Sequence, residues 1–225
     1  ALKKYFGYST FRTPQEDIIN NIINNVNTLV IMPTGGGKSM CYQLPAVCMD
    51  GVAIVISPLI ALMEDQVSGL KSNGINAAYL NSNSKESDKK EILESISNNE
   101  LKLLYVAPER LLNENFYRWL KTINISFFAI DEAHCVSQWG HDFRPEYIQL
   151  SVLTRDFPNT PRLALTATAN ELTKTEIQNN LSFDHNNTFV CGFDRKNITY
   201  HVQQKTDEKK QLIDYLKNNQ EGNSG

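Results

Sequence analysis

Two short stretches of this chain carry residue types that could do chemistry on a phosphate. "PTGGGKS" runs from Pro33 to Ser39, and "DEAH" runs from Asp131 to His134. Glycines let a backbone curl so that successive N–H groups converge on an anion. Thr34, Gly35, Gly36 and Gly37 would form such a cradle, and a helix opening after it would add free N–H groups and the positive end of its dipole. Lys38 would reach the outer phosphates of a nucleotide, and the Ser39 hydroxyl would bind Mg2+. The strict P-loop pattern has glycine where this chain has Met32, so only the second half of the pattern is present.

Phosphoryl chemistry also needs an acidic element. The apolar run "FFAID" ends in Asp131 and continues into Glu132. Asp131 would hold Mg2+, directly or through water, and Glu132 would position and deprotonate an attacking water. Taken alone, the same two acids are explained equally well as the favourable start of a helix.

These groups need a scaffold. Apolar, β-branched runs recur at Thr28–Met32, Val52–Ser57, Ala77–Leu80, Leu101–Ala107, Phe127–Asp131, Arg162–Ala167 and Thr188–Gly192. Several are almost continuously hydrophobic, as in strands covered on both faces. Between them, Gln15–Asn25, Leu59–Asn73, Ser84–Asn98 and Glu171–Leu181 have helical patterns. Alternation of this kind predicts an α/β fold with a mostly parallel, doubly wound sheet and helices on both faces. In such sheets ligands bind at the carboxyl ends of the strands, where both motifs fall. Lys209–Lys217 also has helical spacing and is followed by a polar, Gly-containing stretch, which suggests a cut near a domain boundary.

The chain has 225 residues, a formal charge of −3 and 41% hydrophobic residues, ample for one core. A slightly acidic total excludes a globally basic nucleic-acid binder, so any such site must be a local patch. No run approaches the ~20 apolar residues that span a bilayer, and "ALKKYFGYSTFR" has no secretory apolar segment. No membrane partner is therefore expected. Cys41, Cys48, Cys135 and Cys191 form no Cys-x-x-Cys pair and read as buried thiols of a reducing, cytoplasmic compartment.

"MPTGGGKS", "SPLIALMEDQV", "YVAPERL", "DEAH", "SQWGHDFRPEY" and "ALTATA" occur in that order. Together they resemble the first RecA-like lobe of the RecQ family of DNA helicases, from about Phe6 to about Tyr200. "DEAH" is shared with many helicases, whereas "HCVSQWGHDFRPEY" is more specific to this one. The resemblance implies a RecA-like P-loop NTPase lobe over residues 1–200, and a linker with the start of a second RecA-like lobe over 201–225. It implies ATP and Mg2+ as cofactors, and single-stranded and partly duplex DNA as partners. It implies 3′-to-5′ unwinding in repair or recombination, in the cytoplasm, nucleoid-associated if bacterial. A second lobe of the same parent chain would complete the site with an arginine, so this polypeptide is expected to hydrolyse ATP weakly and not to unwind. A DEAH-type RNA helicase or remodeller and a non-catalytic nucleotide-dependent module are the rival readings, with a small-molecule kinase behind them.

The resemblance also assigns residues. In "FGYSTFRTPQ", Tyr8 would stack on adenine, Gln15 would read its edge and Arg12 would steady the nucleotide. Ser57, Pro58 and Leu59, and likewise Pro108, Glu109 and Arg110, would contact the DNA backbone at helix starts, although capping or an ion pair of Arg110 with Glu109 or Glu114 accounts for them too. Trp139, His141, Phe143 and Arg144 would form an aromatic-rich loop that senses single-stranded DNA, the alternative being that Trp139 and Phe143 plug the core. His134 would link the carboxylates to the threonines of "TAT" (Thr166–Thr168), or be an ordinary buried histidine.

Overall fold

Neighbouring residues of each central strand enter different cores. Leu29 and Ile31 join one cluster with Ile54, Ile56, Leu104, Phe128 and Ile130. Val30 joins another with Ala53, Val55, Leu103, Tyr105, Phe127 and Ala129. Side chains of a strand alternate between faces, so a sheet covered on both sides buries every position. The near-continuous apolar runs in the sequence have this origin. Each fully buried Leu, Ile or Val contributes about 1.5–3 kcal/mol.

A computed structural model describes residues 1–80, 86–138, 142–192, 202 and 204–219. Its elements, in order, are α1 (Gln15–Ile23), β1 (Thr28–Ile31), α2 (Lys38–Cys48), β2 (Val52–Ile56), α3 (Ile60–Ser72), β3 (Ala77–Leu80), α4 (Glu86–Ser97), β4 (Leu103–Val106), α5 (Pro108–Leu111), α6 (Glu114–Leu120), β5 (Ile125–Ile130), α7 (Pro145–Gln149), α8 (Val152–Asp156), β6 (Arg162–Thr166), α9 (Glu171–Leu181), β7 (Thr188–Val190) and α10 (Glu208–Asn219). Among the described residues the strands form one sheet of order β3-β4-β2-β5-β6-β1-β7. Every pairing is parallel. The fold is therefore the parallel, doubly wound α/β arrangement that the alternating pattern predicts, and it agrees with the RecA-like lobe that the family resemblance implies.

Helices α1, α2 and α3 cover one face through Ile18, Ile22, Tyr42, Met63 and Leu70. The other face is covered from α4 to α9 through Ile92, Phe116, Leu120, Tyr147, Leu153 and Ile177. The chain leaves β1, which lies between β6 and β7, and returns at β2, on the far side of β5 and β6. That reversal opens a crevice at the strands' carboxyl ends, and β1, β6 and β5 deliver "PTGGGKS", "TAT" and "DEAH" to it side by side.

The predicted helix at Gln15–Asn25 ends early, at Ile23. Asn25 adopts φ 60, and an asparagine in the left-handed region is a common helix stop. Helix α5 begins at Pro108, where a helix start was expected, whereas α6 to α8 had no counterpart among the predicted segments, because five to seven residues are too few to show a period. Of the cysteines expected to be buried, Cys41 and Cys135 are, but Cys48 is exposed and Cys191 half-buried. Cys48 is the last residue of α2, where the helix leaves its packed face.

Residues Ala1–Phe193 form one compact unit and Asp194–Gly225 a second. The second contains α10, whose Leu212, Ile213, Tyr215 and Leu216 are exposed. The expected start of one helix at Ser84 and the expected domain boundary at 200 lie outside the described residues. No helix among the described residues is long and apolar enough to cross a membrane.

Candidate active site

The phosphate cradle is held shut from two sides. Met32 continues β1 by donating its N–H to Thr166 O at 3.0 Å, and Gly36 N–H turns back to Pro33 O at 3.0 Å. Gly37 sits at φ 89, a conformation L side chains rarely adopt. A Cβ there would also lie 2.4 Å from Gln15 Nε2, and one on Gly36 would lie 2.5 Å from Met32 Cγ. Lys38 opens α2 and donates from Nζ to Met32 O at 3.0 Å. The residue in place of the pattern's first glycine thus contributes its carbonyl to the position of the Lys38 side chain.

The segment before α1 clasps the same loop. Gln15 Nε2 donates to Gly37 O at 3.1 Å, and Arg12 Nη1 donates to Gly35 O at 2.9 Å. Gln15 Oε1 accepts the Arg12 backbone N–H at 3.0 Å, which fixes which end of the amide faces the loop. Gln15 is buried, while Tyr8 is exposed at the mouth.

Asp131 follows β5 and is 8% exposed. Burial, reinforced by the neighbouring Glu132 charge, pushes its carboxyl up to about 6. Its Oδ1 accepts the Glu132 N–H at 3.0 Å. Glu132 has φ 49, an unusual value for a non-glycine residue and of a kind that clusters at functional sites. A hydrogen bond from His134 holds the Glu132 carboxyl below its ordinary value, against burial.

His134 Nδ1 lies 3.2 Å from Glu132 Oε2 and 2.9 Å from Thr166 Oγ1. The Thr166 hydroxyl donates to Thr168 O at 3.0 Å. With its proton so committed, Thr166 Oγ1 accepts from the imidazole, which places the ring proton on Nδ1. His134 therefore bridges the acidic motif to the end of β6.

Tyr8, Arg12, Gln15, Thr34, Gly35, Gly37, Lys38 and Ser39 line one cavity of about 790 Å3 together with Asp131 and Glu132. A single ligand can touch both motifs. Gln43, Leu62, Asp65 and Gln66 also line it. They were not read from the sequence, since nothing in their spacing points to a ligand. Tyr147 counts among the aromatics of the Cys135–Tyr147 segment in the sequence, but its contact could not be read there. Its buried hydroxyl donates to Asp131 O at 2.9 Å and so braces the acidic turn from behind.

The residues expected to meet DNA divide by exposure. Ser57 and Pro108 are buried; the Ser57 N–H is given to Val106 O, while its Oγ has no hydrogen-bond partner among the described residues. Leu59, Glu109 and Phe143 are exposed and Pro58 partly so. The exposure of Phe143, 37%, removes the core-plug alternative for that residue. Arg110 lies over the Phe116 ring at 5.0 Å and forms no ion pair with Glu109 or Glu114 among the described residues, while Glu114 pairs with Arg118 at 3.1 Å. Arg144 Nη1 donates to Pro58 O at 3.4 Å, which ties the aromatic-rich segment to the turn after β2. Trp139 and His141 lie outside the described residues.

The model of the DEAD/DEAH box helicase family matches residues 12–175. The chain belongs to the DEAD/DEAH box helicases. Within that family it is 46% identical over 225 residues to the ATP-dependent DNA helicase RecQ of Haemophilus influenzae, covering 100% of this chain and 36% of the relative. It is 45% identical over 220 residues to RecQ of Bacillus subtilis, covering 97% of this chain and 37% of that one. The RecQ resemblance carried by "HCVSQWGHDFRPEY" is thus shared by whole-chain similarity. The chain spans about a third of the length of these curated relatives. Among solved structures, the DUF1998 helicase MrfA matches with TM-score 0.70 at 16% identity, over 97% of this chain and 36% of its own. The Pyrococcus furiosus Hef helicase domain matches with TM-score 0.57 at 19% identity, over 77% of this chain and 36% of its own. These two likenesses bear on the fold alone. A helicase domain of this family implies nucleotide use.

Proposed function

We propose that this chain is the ATP-binding lobe of a RecQ-type, ATP-dependent 3′-to-5′ DNA helicase, with the lobe proper extending to about residue 200. What supports the reading most is that Lys38, Ser39, Asp131 and Glu132 line one cavity that Gln15 and Arg12 close at its adenine end. Tyr8 covers the base, Gln15 reads its edge, and the N–H groups from Thr34 to Gly37 carry the phosphates. Lys38 leaves Met32 O for the outer phosphates when the nucleotide enters.

The donor set suits Mg2+, a hard cation that takes carboxylate and hydroxyl oxygens. Asp131 is a buried carboxylate that forms no ion pair among the described residues, and its raised pKa marks a site short of positive charge. Ser39 and Asp131 would hold the ion, which supplies charge neutralisation at the phosphate oxygens. Glu132, kept ionised by His134, orients the attacking water and takes its proton on the carboxylate. His134 carries the state of that carboxylate to Thr166 and β6. DNA lies across the turn after β2 and the aromatic-rich segment, joined by Arg144. The relatives' remaining length supplies a second RecA-like lobe, and an arginine from it is worth a factor of about 10³–10⁵ in rate in well-studied nucleotide hydrolases.

The test is nucleotide binding and turnover by this chain, with and without DNA. It should bind Mg-ATP, lose that binding on Lys38→Ala, hydrolyse slowly, and leave duplex DNA intact. Binding that survives Lys38→Ala would overturn the phosphate site. Robust DNA-stimulated turnover by this chain alone would show that no second lobe is needed.

A further inference from the structure

A donor set of different chemistry gathers beside His134. One ligand atom from each of His134, Cys135 and Asp142 lies within 4.8 Å of the others. His134 and Cys135 are buried on the 3-10 turn Ala133–Val136 that follows β5. Asp142 is brought to them by the returning backbone, where the Arg144 N–H donates to Cys135 O at 3.0 Å. The Cys135 thiol meets Asp142 Oδ2 at 3.7 Å, and the Asp142 side chain, 46% exposed, gives the cluster a path to solvent.

Imidazole nitrogen, thiolate sulfur and carboxylate oxygen are the ligands that zinc takes, and three of them leave a fourth position for water. Bonds of about 2.0–2.3 Å in a tetrahedron set ligand atoms roughly 3.5 Å apart. The three groups therefore need to close by about an ångström, within reach of side-chain rotation for a partly exposed aspartate. Magnesium prefers oxygen donors and does not favour a thiolate, so this set selects a different ion from the one that suits Ser39 and Asp131.

We propose that His134, Cys135 and Asp142 form a binding site for a thiophilic divalent cation such as Zn2+, separate from the nucleotide's Mg2+ position. The imidazole of His134 would belong to both arrangements. With the ring proton on Nδ1, the ion would take Nε2, and the Nδ1–H, made more acidic, would draw charge from the Glu132 carboxylate it faces alongside Thr166 Oγ1, leaving a weaker base. Occupancy would therefore slow hydrolysis, a consequence that rests on the reading of Glu132 given above, whereas the ion site itself does not.

Titrating this chain with Co2+ tests the site without nucleotide. The expected result is the charge-transfer absorption of a Co2+–thiolate bond, displaced by one equivalent of Zn2+. Cys135→Ser should abolish the absorption, and Cys48→Ser should leave it. Asp142→Asn, outside the core and so safe for folding, should weaken binding by at least about tenfold, the lower end of what losing even an outer partner of a metal ligand does. The histidine signal of His134 should shift on adding Zn2+ while that of His185 does not. Absence of the absorption, its persistence in Cys135→Ser, or unaltered affinity in Asp142→Asn would each overturn the site. With Zn2+ bound, single-turnover hydrolysis should fall by up to about a hundredfold in the unsubstituted chain, the low end of what a positioned general base contributes, and hydrolysis unchanged at full occupancy would overturn the inhibitory role. No hydrolysis under any condition would count against the nucleotide reading alone, because the absorption is read without ATP.

Discussion

The Gln15 side-chain amide donates to the Gly37 carbonyl across 3.1 Å, joining residues 22 apart in the chain. Through this bond Gln15, proposed above to read adenine, also fixes the glycine loop proposed to carry the phosphates. Gln15→Ala should weaken Mg-ATP binding by about three- to tenfold, the worth of one net hydrogen bond of ~0.5–1.5 kcal/mol. Gly37→Ala should do more, since its φ of 89 is strained for any side chain and the new Cβ would meet Gln15 Nε2 at 2.4 Å. Titration with a fluorescent ATP analogue reads both. Equal affinity for all three proteins would show that the clasp does not shape the loop.

The bridge from His134 to Thr166 separates binding from turnover. Thr166→Val keeps the buried shape of a residue that is 0% exposed but removes the acceptor for Nδ1. Hydrolysis should fall about two- to tenfold, from loss of a bond worth ~0.5–1.5 kcal/mol net. ATP affinity should stay within about twofold. A variant that loses affinity and keeps its rate would place Thr166 in the phosphate site instead.

Asp131 makes stability depend on pH with a definite sign. Its folded pKa, about 6, lies above its ordinary value of 3.8. The folded state therefore holds the proton more tightly than the unfolded one. Stability from this group is fully present below about pH 4 and is lost as pH rises through 6. Two pKa units correspond to about 3 kcal/mol, and Asp131 is too buried for solvent to screen much of it. Asp131→Asn should thus stabilise the nucleotide-free protein at pH 7.5, make little difference near pH 4, and abolish hydrolysis. Urea unfolding at the two pH values checks it, and a pH-independent difference would remove burial as the cause.

Phe143 and Arg144 should matter for DNA and not for folding. Phe143 is exposed, so Phe143→Ala should change stability by no more than about 0.5 kcal/mol. It should weaken single-stranded DNA binding by about 1–3 kcal/mol, the worth of one stacked base. Arg144→Ala should lower the salt dependence by about one counterion if the guanidinium meets a phosphate. Fluorescence anisotropy of a labelled oligonucleotide at several salt concentrations decides between stacking, charge and neither.

Much of this protein was legible as a string of residues. The seven apolar runs became seven strands, because burial on both faces demands hydrophobic residues at every position. Lys38, Asp131 and Glu132 were singled out in the sequence because phosphate chemistry needs those types at strand ends, and the fold brings them to one cavity. Four arrangements were decided by tertiary structure alone: the clasp of Gln15 on Gly37, the hold of Met32 O on Lys38, the brace of Tyr147 behind Asp131, and the proton assignment on His134. Each depends on a hydrogen bond whose partner lies on another element or is a backbone carbonyl. A carbonyl has no residue-specific signature, so spacing cannot reveal it. The same reason explains Ser57 and Pro108, whose motif is visible in the sequence but whose burial follows only from how β2 and β4 pack.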